Sequence, residues 1–285
     1  MTGISETQVE AGGLSFGALV AGPESGPLAL CLHGFPDTAH TYRHLLPELA
    51  AAGFRAVAPF SRGYAPTDVP ADGRYQTGAL ARDANALHEA LGGDERAVIV
   101  GHDWGAQATY GAAGSAPDRW RQVVAMAVPV GPALAGSFFS YDQIKRSFYM
   151  YFFQNPLAEV LVAADDQAFL ARLWADWSPG YDATEDLAHV RESLAGPGRR
   201  RAALRYYRNN LQGGLRAGFT LRPGAPVLYL HGEQDGCMQA DIATRFPETL
   251  PAGSRYERLA GVGHFLQLED PERVHRLVDE WLGEP

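Results

Sequence analysis

Short apolar runs separated by amphipathic stretches set the rhythm of the first half of the chain. Leu28 to Leu32, Arg55 to Ala58, Ala97 to Val100 and Val123 to Val128 are rich in Val, Ile, Leu and Ala with little polar alternation. Such runs predict strands covered on both faces, hence a parallel sheet between layers of helices. Thr41 to Ala52 carries apolar residues at helical spacing and is stopped by Gly53, and Gly78 to Leu91 repeats the pattern before a glycine pair. Each strand is therefore expected to return through a crossover helix, which makes the fold α/β. The rhythm breaks after "AVPVGP" and resumes at "PVLYLHGEQD". Near the end, Val274, Leu277, Val278, Trp281 and Leu282 fall on one helical face, predicting a closing helix packed on the sheet.

The interruption, about Pro132 to Phe219, holds half of the chain's aromatic residues in under a third of its positions. It contains "SFYMYFFQNP" and "ALRYYRNNL", separated by the helical stretch "PLAEVLVAADDQAFLARLWADW". Large side chains suit an all-helical module held to a core, and also an apolar pocket beneath it. The predicted division is a core of residues 1–131 and 220–285 with a helical cap of residues 132–219.

Composition narrows the partners. At 285 residues with a formal net charge of -9, the chain carries no basic patch for nucleic acid or an anionic membrane. No apolar run approaches the roughly 18 residues of a membrane span, and "MTGISETQVEAGG" lacks a leader pattern, so the expected location is the cytoplasm. The two cysteines, Cys31 and Cys237, show no metal-binding spacing. No metal, disulfide or cofactor is expected, and the choice between monomer and homodimer stays open.

The chemistry gathers at "VIVGHDWGAQA". Gly101-His102-Asp103-Trp104-Gly105 follows a strand and precedes a helix, the context of a nucleophile elbow, with aspartate in the nucleophile's place. An aspartate there would also suit a helix N-cap. A carboxylate, with a pKa near 4, is ionised at neutral pH without help from a base. Attack on an ester would give a reactive anhydride, whereas attack on an electrophilic sp3 carbon gives an ordinary ester. That ester must then be hydrolysed by base-activated water beside an oxyanion hole. His264 in "GVGHF" follows the last strand and is the candidate base; His33 and His102 flank the reactive loops, and His275 lies inside the closing helix. Asp235 in "GEQDGC" is the candidate orienting acid, with Glu233 its neighbouring rival. The loop "HGFPDT" after the first apolar strand offers the N–H of Phe35, alongside that of Trp104, as oxyanion donors.

Together "HGFPD", "RGYAPTD", "GHDWGA", "GEQD" and "GVGHF", with two tyrosine-bearing segments, resemble the epoxide hydrolases of the α/β-hydrolase fold over essentially the whole chain. The resemblance implies a mostly parallel central sheet flanked by helices, an inserted helical cap, a small apolar epoxide as substrate and a vicinal diol as product. It also implies two cap tyrosines that donate to the epoxide oxygen. These fall on Tyr149 in "YMYFFQNP" and on Tyr207 in "YYRNN", with Tyr141, Tyr151 and Tyr206 as near alternatives. Haloalkane dehalogenases are similar in fold and elbow but typically place asparagine after "HG", where this chain has Phe35. Fluoroacetate dehalogenases carry arginine after the nucleophile, where Trp104 stands. A non-catalytic receptor on the same fold is the reading from another class; such proteins usually lack part of the catalytic set.

Overall fold

The computed structural model describes residues 3–131, 133–134, 140–211, 222–245 and 250–283. Its centre is an eight-stranded sheet in the order β1-β2-β4-β3-β5-β6-β7-β8. The strands are β1 (Ser5–Ala11), β2 (Leu14–Ala21), β3 (Leu28–Leu32), β4 (Arg55–Pro59), β5 (Val98–His102), β6 (Gln122–Met126), β7 (Val227–Gly232) and β8 (Arg255–Leu259). β1 and β2 pair antiparallel, β2 meets β4 antiparallel, and every other neighbour is parallel. The four apolar runs read from the sequence are β3 to β6, with ends shifted by one or two residues. Ala127 follows β6 with φ at 66°, which breaks the extended path and ends the strand at Met126.

The core helices are α1 (Leu45–Ala51), α2 (Thr77–Ala90) and α3 (Trp104–Ser115). The helix expected from Thr41 to Ala52 is in fact a 3-10 turn at Ala39–Tyr42 followed by α1. Pro47 explains the break: it has no N–H for an i→i−4 bond and is tolerated only in a first turn. The β1–β2 hairpin has no counterpart in the sequence reading, because β1 is largely exposed and its residues mostly polar.

Between β6 and β7 lie α4 (Tyr141–Arg146), α5 (Phe148–Phe152), α6 (Leu157–Ala163), α7 (Ala168–Trp177), α8 (Thr184–Ser193) and α9 (Pro197–Leu211). Both predicted ends of this insertion, Pro132 and Phe219, lie outside the described residues. The stretch read as one helix from Pro156 to Trp177 is two, α6 and α7. Asp165, Asp166 and Gln167 between them have φ of 47°, 54° and 61°, a left-handed path that no right-handed helix can cross.

Hydrogen bonds lock these helices to the core. The Trp174 indole donates to Pro36 O at 2.8 Å, the Tyr206 hydroxyl to Arg62 O at 2.8 Å, and Arg43 pairs with Asp186 at 2.6 Å. The chain closes with the short α10 (Leu266–Glu269) and α11 (Pro271–Leu282). Val274, Val278 and Leu282 of α11 are buried, with Leu277 and Trp281 half-buried beside them, on the face predicted from spacing. Among the described residues no helix is long and apolar enough to cross a membrane.

Candidate active site

β5 is buried along its whole length and delivers the chain into a tight turn at Asp103, whose φ of 54° and ψ of -117° are unusual for a residue with a side chain. Such backbone conformations cost roughly 1–3 kcal/mol and persist only where the surroundings impose them. The glycines impose it. A Cβ on Gly101 would lie 2.3 Å from Gly105 O, and one on Gly105 would lie 1.9 Å from Leu32 O. Only with both positions bare can α3 start this close to β3 and β5. Gly34 has the same role toward the side chain, since its Cβ would lie 2.3 Å from Asp103 Oδ1.

Asp103 makes no N-cap hydrogen bond to α3, so it is not held there as a capping residue. Instead Oδ1 accepts from the Phe35 N–H at 2.7 Å, and the Trp104 N–H lies near enough to favour the charged carboxylate. Burial raises the Asp103 pKa, while His264 and these two N–H donors favour the charged form. Oδ2 points the other way, 3.9 Å from His264 Nε2.

His264 sits in the loop between β8 and α10, fully buried. Its Nδ1–H donates to Asp235 Oδ2 at 2.9 Å, leaving the Nε2 lone pair directed at Asp103 with no hydrogen-bond partner. The other oxygen of Asp235 accepts from the Cys237 and Met238 N–H groups at 2.7 and 2.8 Å. Burial alone would raise the Asp235 pKa, but the neighbouring His264 brings it below the ordinary value. For His264, burial acts downward, and Asp235 and then Asp103 overcome it, so the imidazole titrates above its ordinary range.

The rivals lie elsewhere. Glu233 is turned outward, 3.5 Å from Arg258, and His275 lies 3.9 Å from Glu48. His33 donates from Nδ1 to Gly34 O at 2.9 Å and accepts from the Ser61 N–H at 2.9 Å, which fixes it as a neutral brace for the loop carrying Phe35. His102 donates to His264 O at 2.9 Å, bracing the base loop in the same way.

Tyr149 on α5 and Tyr207 on α9 are both buried, their rings perpendicular with centroids 5.5 Å apart. They line one cavity of about 40 Å³ with Asp103 and Trp104. The Tyr149 hydroxyl pairs with Cys237 Sγ at 3.3 Å. The Tyr207 hydroxyl and the Trp104 indole N–H are buried without a hydrogen bond of standard geometry, although the indole is near enough to favour ionisation of the phenol. Burial, reinforced by the charge of Asp103, holds both phenols well above their ordinary pKa, so both remain proton-bearing donors. Of the alternatives, Tyr206 spends its hydroxyl on Arg62, while Tyr141 and Tyr151 are exposed.

The rest of the cavity wall is Gln107, Val128, Leu134, Met150, Cys237 and Met238, none of them singled out from sequence. Only Cys237 carried a signal, two positions after Asp235 in "QDGC". A larger cavity, about 500 Å³, lies between α1 and α11 and touches none of the candidate catalytic residues. Asp235, Cys237 and His264 have ligand atoms within 4.8 Å of one another, an arrangement that could hold a metal ion. Their donors are already engaged: both Asp235 oxygens and His264 Nδ1 are hydrogen-bonded, and burial holds the Cys237 thiol strongly protonated. The set is built as a hydrogen-bond network.

Comparison with known proteins places this chain in a family. Residues 27–271 match the family model described as alpha/beta hydrolase fold. Epoxide hydrolase 3 of Mus musculus is 31% identical over 285 residues, covering 96% of this chain and 76% of its own. Epoxide hydrolase A of Mycobacterium tuberculosis is 29% identical, covering 98% of this chain and 97% of its own. Among solved structures, a mutant epoxide hydrolase from Bacillus megaterium, complexed with its naphthyloxy-propane-diol product, superposes with a TM-score of 0.86. It is 27% identical and covers 97% of this chain and 99% of that one.

Proposed function

This chain belongs to the alpha/beta hydrolase fold family and to the epoxide hydrolases within it, and we propose that it converts an epoxide to a vicinal diol through a covalent ester on Asp103. Asp103 Oδ2 attacks a ring carbon and the C–O bond of the ring breaks toward oxygen. Tyr149 and Tyr207 donate hydrogen bonds to that oxygen, and one of them passes its proton to the alkoxide. His264, held by Asp235, then takes a proton from water, and the hydroxide adds to the Asp103 carbonyl carbon. The oxyanion rests on Oδ1, where the Phe35 N–H already points, with the Trp104 N–H beside the carboxylate as the second donor. Collapse expels Oδ2 with the diol, whose alkoxide takes the proton of the new carboxyl, and the proton on His264 returns to the tyrosinate, so the carboxylate keeps one oxygen from water.

The observation that carries this reading is that Tyr149 and Tyr207 share one cavity with Asp103. A departing halide needs no proton, whereas an alkoxide does, and a phenol is an acid able to supply it. The inserted helices act as a cap that brings both donors over the nucleophile, and the apolar wall suits a small apolar epoxide. The cytoplasm suits the two buried free thiols, Cys31 and Cys237.

A single turnover in heavy-oxygen water tests the covalent route: the first diol should leave unlabelled and Asp103 should acquire the label, read by peptide mass spectrometry. Label appearing in that first diol would show direct attack by water. The proton donors are tested by Tyr149→Phe and Tyr207→Phe. Each should slow ester formation by about 10-fold or more, and the double variant by about 100-fold or more, measured by rapid-quench kinetics. Full ring-opening rates in the double variant would remove both residues from the mechanism.

A further inference from the structure

The C-terminal end of α7 is joined to both loops that carry the base and its acid. Trp177 O accepts from the Gly236 N–H at 3.0 Å, next to Asp235, and from the His264 N–H at 3.1 Å. Ser178 Oγ lies 3.1 Å from the N–H groups of both His264 and Phe265, accepting from each, and donates to Glu269 Oε1 at 2.5 Å. Glu269, on α10, closes the ring of contacts: Oε2 accepts from the Gly263 N–H at 2.7 Å and Oε1 from the Phe265 N–H at 3.1 Å.

The backbones are in direct contact here. A Cβ on Gly236 would lie 1.9 Å from Asp176 O, and one on Gly263 would lie 2.7 Å from Ser178 Cα. The Trp177 ring packs on His264 and on Tyr149, with centroid separations of 5.1 and 5.0 Å. The N–H groups of three consecutive residues in the base loop thus bond to two side chains, Ser178 from the inserted helices and Glu269 from the core, with the Trp177 carbonyl sharing that of His264.

We propose that Ser178 and Glu269 are a positioning pair for His264, holding residues Gly263 to Phe265 so that Nε2 faces Asp103 while Nδ1 stays on Asp235. Neither residue touches the reacting atoms. Because Ser178 follows directly on α7, the pair makes the alignment of the base depend on the seating of the inserted helices. The Glu269 carboxylate has a second effect: it adds, behind Asp235 and Asp103, to the charge that keeps the His264 pKa up against the effect of burial. The consequence falls on ester hydrolysis, which uses His264, and spares ring opening, which uses Asp103 and the tyrosines.

The proposal rests on the two-step reading above, and the experiment separates its failure from a failure of that reading. Ser178→Ala and Glu269→Gln are compared with the parent protein in two measurements. The first is single-turnover formation and decay of the ester. Decay should slow by roughly 10- to 100-fold, as expected for a misaligned catalytic group, with formation changed by less than about twofold. The second is NMR titration of the low-field His264 Nδ1 proton, which needs no substrate. In Glu269→Gln its midpoint should fall by about half a unit or more, and the acidic limb of ester decay should move to lower pH with it. Unchanged decay together with an unchanged midpoint would overturn the proposal, as would equal losses in both steps with the midpoint unmoved. If Ser178→Ala does not fold, Glu269→Gln decides alone.

Discussion

Replacing His264 with glutamine should stop the protein after one ring opening, leaving each molecule heavier by the mass of one epoxide. The first step does not use His264 as acid or base: the carboxylate is nucleophilic once ionised, kept so in the variant by the Phe35 and Trp104 N–H groups, and the tyrosines supply the proton. The second step loses its base, and general-base catalysis is worth about 10²- to 10⁴-fold. Turnover should fall by that factor, while rapid mixing should still show a burst of one equivalent of epoxide consumed per site. Absence of both burst and adduct in a folded variant would sink the covalent route. The unaltered protein adds a pH test with a definite sign. His264 must be neutral to take a proton from water, and Asp235 and Asp103 hold its pKa above the ordinary value. Hydrolysis should therefore rise with pH through that raised pKa. Esterification removes the charge of Asp103, so the limb for ester hydrolysis should lie below the midpoint measured for His264 in the resting protein.

Asp103→Ala should abolish diol formation, with a loss of about 10⁴-fold or more, the scale seen when a covalent nucleophile is removed. Unlike His264→Gln it should show neither burst nor adduct, because no atom remains to hold the ring carbon. Both Phe35 and Trp104 N–H groups would then face empty space, and Tyr149 and Tyr207 could still polarise an epoxide toward water, which sets the residual rate. The pair of variants orders the steps: loss of the adduct in one and its accumulation in the other. The measurement is intact-protein mass spectrometry alongside diol release from styrene oxide. Activity near the parent level in Asp103→Ala would end the assignment, and bromide release from a bromoalkane by the parent protein would move it toward dehalogenation.

Much of this arrangement was legible in the sequence because it is locally encoded. The strands β3 to β6 are apolar at nearly every interior position, since burial on both faces leaves little room for polar alternation. The elbow is readable because Gly101 and Gly105 flank Asp103 within five residues, Gly101 forced by the approach of Gly105 O and Gly105 by that of Leu32 O. His264 is marked by a loop after the last strand, and Phe35 by its place after β3. Elements whose determinants are not apolar periodicity were missed or misread: the polar hairpin strand β1, the helix shortened by Pro47, and the left-handed path from Asp165 to Gln167.

The sequence by itself determined the α/β scaffold, an aspartate presented at a strand–helix turn, and a histidine on a later loop, and with them the expectation of displacement at carbon followed by hydrolysis. The tertiary structure decided everything that depends on direction across long sequence distances. It turned Asp235 inward and Glu233 toward Arg258, put Tyr149 and Tyr207 on the cavity wall with Asp103 while Tyr141 and Tyr151 are exposed and Tyr206 bonds Arg62, and put Cys237 against Tyr149. It also brought Ser178 and Glu269, 91 positions apart, to one backbone loop. A short motif states which groups are present, because its geometry is closed by neighbours in the chain. Which hydroxyl faces a cavity depends on how whole helices seat on a sheet, and that is settled by packing that no local stretch encodes.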